Sequence, residues 1–473
     1  MTMTSKQRWV LGVAVSALFV VVLDVMTVPI ALTAIQRKFR ASMTALEWTV
    51  NGYNLAFVAM LVVGVALGGR FGGRRVFLAG LGMVTAASAA CALAPGIGYL
   101  ITARAFQGAG AGLVMPLAVA ELTTAFPPQI RGRMLGVLCS GLGLAVFGGP
   151  FLGGAVTQGL AWQWIFWINI PPGLTVMALT VWRMEDRRGP VRRVDISGVL
   201  LVAPGALGIV WGLVRGNTAG WGSVEVVAML TVGSVLMAVF IYYELPVGRF
   251  HLFEFVAVKV ANFCLFASLY GAIFMIAQYL QAGLGNGPLG AGLRLTPWTA
   301  AMVVVAPVFG MLIGKRTERR FVVAGLLMNA IGLGWLALVA SGNLPYPHLL
   351  PPLIVSGCGV SVAMPGAQGP IHGHACLPEI GGAPGSVSIL RILSGVFGVA
   401  VLGAVFVGAG GDASPQAFAK GFAPAIGVAA AVALAGAVAG LGMPRRRKAS
   451  PAITLLPYQP PLGIESGEDN WEI

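Results

Sequence analysis

Charge is scarce in this chain, and what little there is leans one way. Of 473 residues only 10% are Asp, Glu, Lys or Arg, 57% are apolar, and the mean hydropathy is +0.85. A soluble domain carries about a quarter charged residues, so a water-soluble fold is excluded. Acid is scarcer than base, with 16 Asp and Glu against 30 Lys and Arg and a formal net charge of +14. The basic residues sit in short clusters between apolar runs and form no single face, which argues against a nucleic-acid binder. Cysteine is also sparse: Cys91, Cys139, Cys264, Cys358 and Cys376 are odd in number, scattered, and lack metal-ligand spacing. We read them as small packing residues. No nucleotide-binding loop or nucleophile–base motif occurs either, which speaks against an enzyme or a resident cofactor and leaves ion gradients as the energy source.

What the chain has instead is a succession of apolar runs of about twenty residues, each long enough to cross a hydrocarbon core of about 30 Å as a helix. Breaks at charged, Gly and Pro residues predict fourteen helices near 9–31, 46–68, 76–94, 98–120, 134–158, 164–182, 195–215, 224–244, 258–283, 293–314, 321–341, 349–371, 385–408 and 421–442. Lys6 and Arg8 before the first run resemble a secretory signal. That run, however, is long, contains Asp24 and lacks a small-residue cleavage site, so it reads as a retained helix. With the N-terminus in the cytoplasm, the clusters Arg70/Arg74/Arg75, Arg131/Arg133, Arg183–Arg193, Lys315–Arg320 and Arg445–Lys448 all fall inside, as the positive-inside rule requires. Arg37, Lys38 and Arg40 are the exception. An even number of spans places both termini inside.

A repeat organises the runs. Val65–Gly80 aligns without gaps onto Gly310–Gly325 at an offset of 245, and Gly108–Pro116 (GAGAGLVMP) onto Gly357–Pro365 (GCGVSVAMP) at 249. Ser140-Gly141 likewise matches Ser394-Gly395. Two homologous halves of six helices follow, residues 1–182 and 258–442. Between them, 183–257 is an inserted helix pair, and 443–473 is a polar tail expected to be disordered. The expected fold class is an all-α integral membrane protein of two six-helix bundles plus two helices. Parallel repeats of this kind rock two bundles about a central site.

Several stretches carry a family resemblance over all fourteen runs. They are LDVMTVPIAL from Leu23, GGRFGGRR from Gly68, ARAFQGAGAG from Ala103, GLGLAVFGGPFLGG from Gly141, WQWIFWINIPPG from Trp162, and GLRLTPW from Gly292. Together they resemble the major facilitator superfamily, specifically its fourteen-helix drug:proton antiporter branch. The resemblance implies a multi-pass protein of the bacterial cytoplasmic membrane, exporting small hydrophobic or cationic molecules against protons, with lipid as its solvent and a monomer as its unit. It implies neither a cofactor nor a nucleic-acid partner. A lipid transporter with the same fold is the alternative, and a transporter-like receptor or scaffold a more distant one.

Within this frame Asp24 is the first candidate. A carboxylate at the bilayer centre costs about 2.5–3.5 kcal/mol on insertion scales, so it must face protein or water. It serves either as a proton carrier, the role the resemblance implies, or as a structural tie to a neighbouring helix. Arg104, followed by Gln107, carries a permanent charge that needs a carboxylate or carbonyls. The resemblance puts it in the proton relay, with a structural or snorkelling Arg as the alternative. Glu47 is a second candidate acid, or else a solvated residue at a helix end. The run with Gly149, Pro150, Gly153 and Gly154 suits a hinge or seal, because small residues admit close helix approach and Pro removes a backbone bond. Gly69, Arg70 and Arg74 mark the loop after the second helix. The acid that the resembled family places before the first basic residue is Gly69 here, and Gly314 in the repeat. Asn51, Tyr53, Asn54, Gln278, Tyr279, Gln281, Trp298 and Gln368 are candidates to line a cavity for substrate, or to pack between helices. His372 and His374 read as loop residues.

Overall fold

A computed structural model describes residues 3–184, 196–244, 252–313, 318–341, 345–368, 383–411 and 414–443. Among them there are helices and no strands. The first half runs α1 (Ser5–Phe39), α2 (Met43–Phe71), α3 (Gly73–Ala92), α4 (Ile97–Ala125), α5 (Pro128–Gly159), a single turn α6 (Trp164–Trp167) and α7 (Ile170–Arg183). Then come α8 (Ile196–Ala219) and α9 (Val224–Glu244). The second half runs α10 (Leu252–Gln278), which continues into a π-helical turn Tyr279–Gly283, then α11 (Pro288–Ile313), α12 (Glu318–Val339), α13 (Tyr346–Gln368), α14 (Ala383–Ala409) and α15 (Pro415–Gly440). Among the described residues, ten helices are long and apolar enough to cross a membrane.

Local chemistry fixes the ends. Thr4 and Gln7 form a reciprocal capping box at the start of α1, and Arg37 and Lys38 occupy its last turn, where cations complement the helix dipole. The 35 residues of α1 span about 52 Å at 1.5 Å per residue, so both basic ends project beyond a hydrocarbon core of about 30 Å. Ser42 and Ser414 cap α2 and α15 by accepting from the Ala45 and Ala417 backbone N–H groups. The run 164–182, expected as one helix, is interrupted instead. Pro171 and Pro172 have no N–H with which to continue the ladder from α6, so the chain restarts at Ile170 with both prolines in the first turn of α7.

Packing follows the sequence repeat. In the first half α1 packs on α5, α2 on α4, and α3 on both α4 and α7; in the second, α10 packs on α14, α11 on α13, and α12 on both α13 and α15. Matching glycines set the spacing. A Cβ at Gly110 would lie 2.8 Å from the Gly80 carbonyl oxygen, and one at Gly359 would lie 2.6 Å from that of Gly325, its repeat partner. The halves meet along α5–α11 and α2–α14. The extra helix α8 lies against both α2 and α14, with Trp48 beside Trp211 at 5.7 Å and the Asn217 side chain donating to the Ala404 carbonyl.

The apolar core is joined at one end and divided at the other. One continuous cluster unites Ile30, Leu32 and Leu46 of the first half with Ile273, Leu295, Leu402 and Phe406 of the second. Towards the end that carries Ser5 the cores separate. One is built on Val13, Phe77 and Leu117, joined by Ile389 and Leu393 of α14, and the other on Ala261, Val322 and Ala433. The two halves are thus sealed together at the end opposite the N-terminus.

Candidate functional site

Where α1, α4 and the α6–α7 junction converge, buried polar groups gather around one carboxylate. Asp24, in the middle of α1, is 2% exposed, and so is Arg104 of α4. The Arg104 guanidinium donates to Asp24 Oδ2 at 2.5 Å and to Gln107 Oε1 at 2.7 Å, and its Nε reaches the Thr49 carbonyl of α2 at 3.4 Å. The other carboxylate oxygen accepts from Gln107 Nε2 at 3.0 Å and from Asn169 Nδ2 at 2.9 Å. Gln107 Nε2 also reaches Ser88 Oγ at 2.9 Å. The guanidinium lies over the Tyr53 ring, 4.2 Å from its centroid. Each partner follows from its place in the chain: Arg104 and Gln107 share a helix face at a spacing of three, and Asn169 sits at the break before the two prolines.

Such a pair is stable only when fully partnered, because a lone buried charge costs several kcal/mol. Here the charge is neutralised and both carboxylate oxygens are satisfied. The arrangement links α1 through one carboxylate to α4 and Asn169, and through Arg104 and Gln107 to α2 and α3.

The other candidates fall elsewhere. Glu47, expected as either a second candidate acid or a solvated helix end, is 2% exposed, as deeply buried as Asp24. Solvation fails because α14 covers that turn: a Cβ at Gly403 would lie 2.1 Å from Glu47 Oε1. Asn51, one turn along the same face, is also buried, and neither of its side-chain polar atoms has a partner; Gln278 Nε2 is buried and unpartnered too. Tyr53 belongs to the Asp24 cluster, and Asn54 is half-buried. Tyr279 stacks on Phe422 at 4.0 Å and donates to the Ser341 carbonyl at 2.6 Å, while Gln281 crosses between the halves to the Ile30 carbonyl at 2.9 Å. Trp298 donates to Ser356 at 3.1 Å. Gln368 ends α13; His372, His374, Cys376 and Gly314 lie outside the described residues.

In α5, a Cβ at Gly149 would lie 2.4 Å from Met26 Cβ, and one at Gly153 would meet Thr27 of α1 at 3.0 Å. At Gly154 it would meet the Pro288 carbonyl of α11 at 2.5 Å, and the Pro150 carbonyl closes on Gly292. This glycine run therefore touches both halves. Gly69 lies in the last turn of α2 beside the exposed Arg70, and Arg74 donates to the Val181 carbonyl of α7 at 2.6 Å.

Sequence reasoning missed Asn169, Ser88 and Thr49. Asn169 had a signal, as a lone amide in WQWIFWINIPPG. Ser88 in an alanine-rich helix and the Thr49 carbonyl had none.

A sequence model of the Major Facilitator Superfamily matches residues 14–256, just over half of the chain. The chain is also 34% identical over 399 residues to the multidrug resistance protein Stp of Mycobacterium tuberculosis (strain CDC 1551 / Oshkosh), covering 82% of this chain and 74% of that protein. The chain belongs to the Major Facilitator Superfamily. Within that superfamily it is 30% identical over 426 residues to the tetracenomycin C resistance and export protein of Streptomyces glaucescens, covering 88% and 79% of the two. The fold matches a crystal structure of an auto-inhibited POT family peptide transporter, with a TM-score of 0.69 over 94% of this chain and 98% of that one, at 14% identity. This Major Facilitator Superfamily chain is a multi-pass membrane transporter and not an enzyme.

Proposed function

We propose that the chain exports small hydrophobic or amphipathic molecules, cations among them, from the bacterial cytoplasm in exchange for protons. The observation that carries this reading is the buried Asp24–Arg104 pair with its amide partners. Export is supported by the relatives named for multidrug resistance and for tetracenomycin C resistance and export.

On this reading the fourteen spans form two bundles, 1–182 and 258–442, with 183–257 inserted, 443–473 as a tail, and both termini cytoplasmic. The sealed end then faces outward, and the state described is the one loaded from inside, with Asp24 ionised on Arg104. After the bundles rock, a proton arriving from outside neutralises Asp24. Arg104 loses its partner, the ties to α2, α4 and Asn169 rearrange, and substrate leaves. Return to the inner side restores the ion pair as the proton departs. Asn51 and Gln278 carry unpaired polar atoms suited to a substrate's donors and acceptors, while Gly149, Pro150, Gly153 and Gly154 let α5 pivot between α1 and α11. The protein works as a monomer in lipid and holds no cofactor.

The test is efflux from proteoliposomes with and without an imposed pH gradient. Asp24→Asn should lose concentrative efflux. It also orphans the Arg104 charge, at about 3–5 kcal/mol for a broken buried pair, so Asp24→Asn/Arg104→Gln should regain stability without regaining coupling. Gradient-driven accumulation at the wild-type rate in either variant would refute the assignment.

A further inference from the structure

A second carboxyl is buried in this molecule and the Asp24 cluster does not use it. Glu47 lies in the second turn of α2, at the sealed end. Thr49 and Tyr53 turn one face of α2 towards Arg104; Glu47 and Asn51, two residues offset, lie on a different face of the helix. That face meets α14 of the other half, where Gly403 leaves just enough room for the carboxyl. Glu47 Oε2 and both polar atoms of Asn51 are buried without partners.

Among the described residues no cation answers Glu47. On α14 the described residues carry one charged side chain, Arg391, twelve positions before Gly403. On α8, Arg215 is paired with Glu225 at 3.4 Å. On α4, Arg104 is held by Asp24 of α1, and Glu121 lies near the far end. Arg37 and Lys38 of α1 are exposed beyond the seam; Lys6 and Arg8 of α1, Arg70 of α2, and Arg74 and Arg75 of α3 lie at the opposite end. Tyr53 turns to Arg104. A carboxylate charge in this seam would be unpaired and dry, at a cost of several kcal/mol, whereas a neutral acid fits the same space.

We propose that Glu47 is a second proton-binding site, lodged between the two halves at Gly403, and that proton occupancy there latches the outer end shut. The proposal rests on the transporter reading above and assigns Glu47 to closure, leaving Asp24 as the group that exchanges for substrate. When α2 and α14 part on the outer side, water reaches the carboxyl and it ionises; the seam can close again only once it has taken up a proton. Closure and proton binding are thereby linked, and linkage is reciprocal. Acid outside favours the sealed end and alkali opens it, by up to about tenfold in the open:closed ratio per pH unit for one linked proton. Each return stroke would therefore need a proton even when no substrate is bound.

The experiment measures the distance between spin labels at Lys38 and Ala409, exposed residues of opposite halves at the sealed end, in a cysteine-replaced full-length chain in nanodiscs without substrate. The open fraction should rise from acidic to alkaline buffer, stay low throughout in Glu47→Gln, and remain pH-dependent in Glu47→Asp. Gly403→Ala, whose methyl intrudes on the carboxyl, should raise the open fraction at every pH. The same pH response in Glu47→Gln as in wild type, or none in wild type, overturns the latch. So does a separation set at fixed pH by tetraphenylphosphonium and lost in Glu47→Gln, which would make the carboxyl a ligand's counter-ion. Because no substrate is present, failure of the export reading would show as absent efflux with this pH response intact.

Discussion

The two halves of the molecule hold polar clusters at equivalent places, and only one of them is charged. Trp298 stands at the repeat position of Tyr53, and Ser356 at that of Gln107, at the offsets of 245 and 249 that relate the halves. In the second half Trp298 donates to Ser356 at 3.1 Å, Ser356 to Asn329 at 2.7 Å, and Asn329 to Ser268 of α10 at 3.1 Å. All four residues are buried, and none ionises near neutrality. In the first half the same location holds Asp24 and Arg104. The backbone contacts beneath are alike: Gly108 presses on the Tyr53 carbonyl as Gly357 does on that of Trp298. A common scaffold thus carries a neutral hydrogen-bond network on one side and a charged one on the other, and the proposed function assigns proton-dependent switching to the charged half, with the second as its counterweight.

Charge removal breaks this comparison most strongly. Asp24→Asn should abolish gradient-driven efflux outright, whereas no single change in the neutral cluster should touch coupling; proteoliposome efflux under a pH gradient measures both. Next in size are the paired glycines. Gly110→Ala and Gly359→Ala each place a methyl against backbone, 2.8 Å from Gly80 and 2.4 Å from Asn329 N. Both should destabilise by about 1–3 kcal/mol, the usual range for overpacking. A thermal-shift measurement in detergent that finds one tolerated and the other not would show that the scaffold is not shared.

Much of this was legible beforehand, for identifiable reasons. Apolar runs of bilayer length are a strong signal because every backbone group in lipid must be bonded within its own segment. The repeat was visible because glycines at close approaches leave no alternative residue, as at Gly110 and Gly359. Asp24 and Arg104 stood out as charges inside apolar runs. Their contact did not, since pairing between helices depends on rotation about each axis. Glu47 was left between two readings for a related reason: its place near the start of α2 allowed water, and only the return of α14 more than 350 residues later buries it. The break at Asn169 was hidden by continuous hydrophobicity, although Pro171 and Pro172 marked it. The neutral cluster was illegible, because Ser268, Asn329 and Ser356 are ordinary small polar residues until the fold assembles them.

A smaller effect comes from that neutral cluster. Ser356→Ala removes the acceptor for the Trp298 indole and the donor to Asn329, leaving buried groups unsatisfied at about 1–3 kcal/mol. The melting temperature should fall, while the pH dependence of efflux keeps its wild-type shape. A displaced pH profile would mean that the second half takes part in proton exchange, and the assignment of proton-dependent switching to the charged half would be lost.

The smallest effect concerns the last turn of α2, where Gly69 replaces the acid that the family resemblance implied. On the side facing α7, Arg74 already ties the start of α3 to the Val181 carbonyl at 2.6 Å, but no carboxylate is present at Gly69 to draw the neighbouring cations together. Gly69→Asp would supply one next to Arg70. The site is at the surface end of the helix, where an ion pair contributes about 0–1 kcal/mol, so the shift in the balance between states should not exceed about fivefold. On the topology proposed here this end is cytoplasmic, and an added clasp should favour its closure. Spin labels at Arg70 and Arg320, one in each half, should report a shorter mean separation in Gly69→Asp than in wild type, more so at low salt than at high. An unchanged or longer separation would show that Arg74 and its backbone contact already do what the missing acid does elsewhere, and that the first half closes this end without a carboxylate.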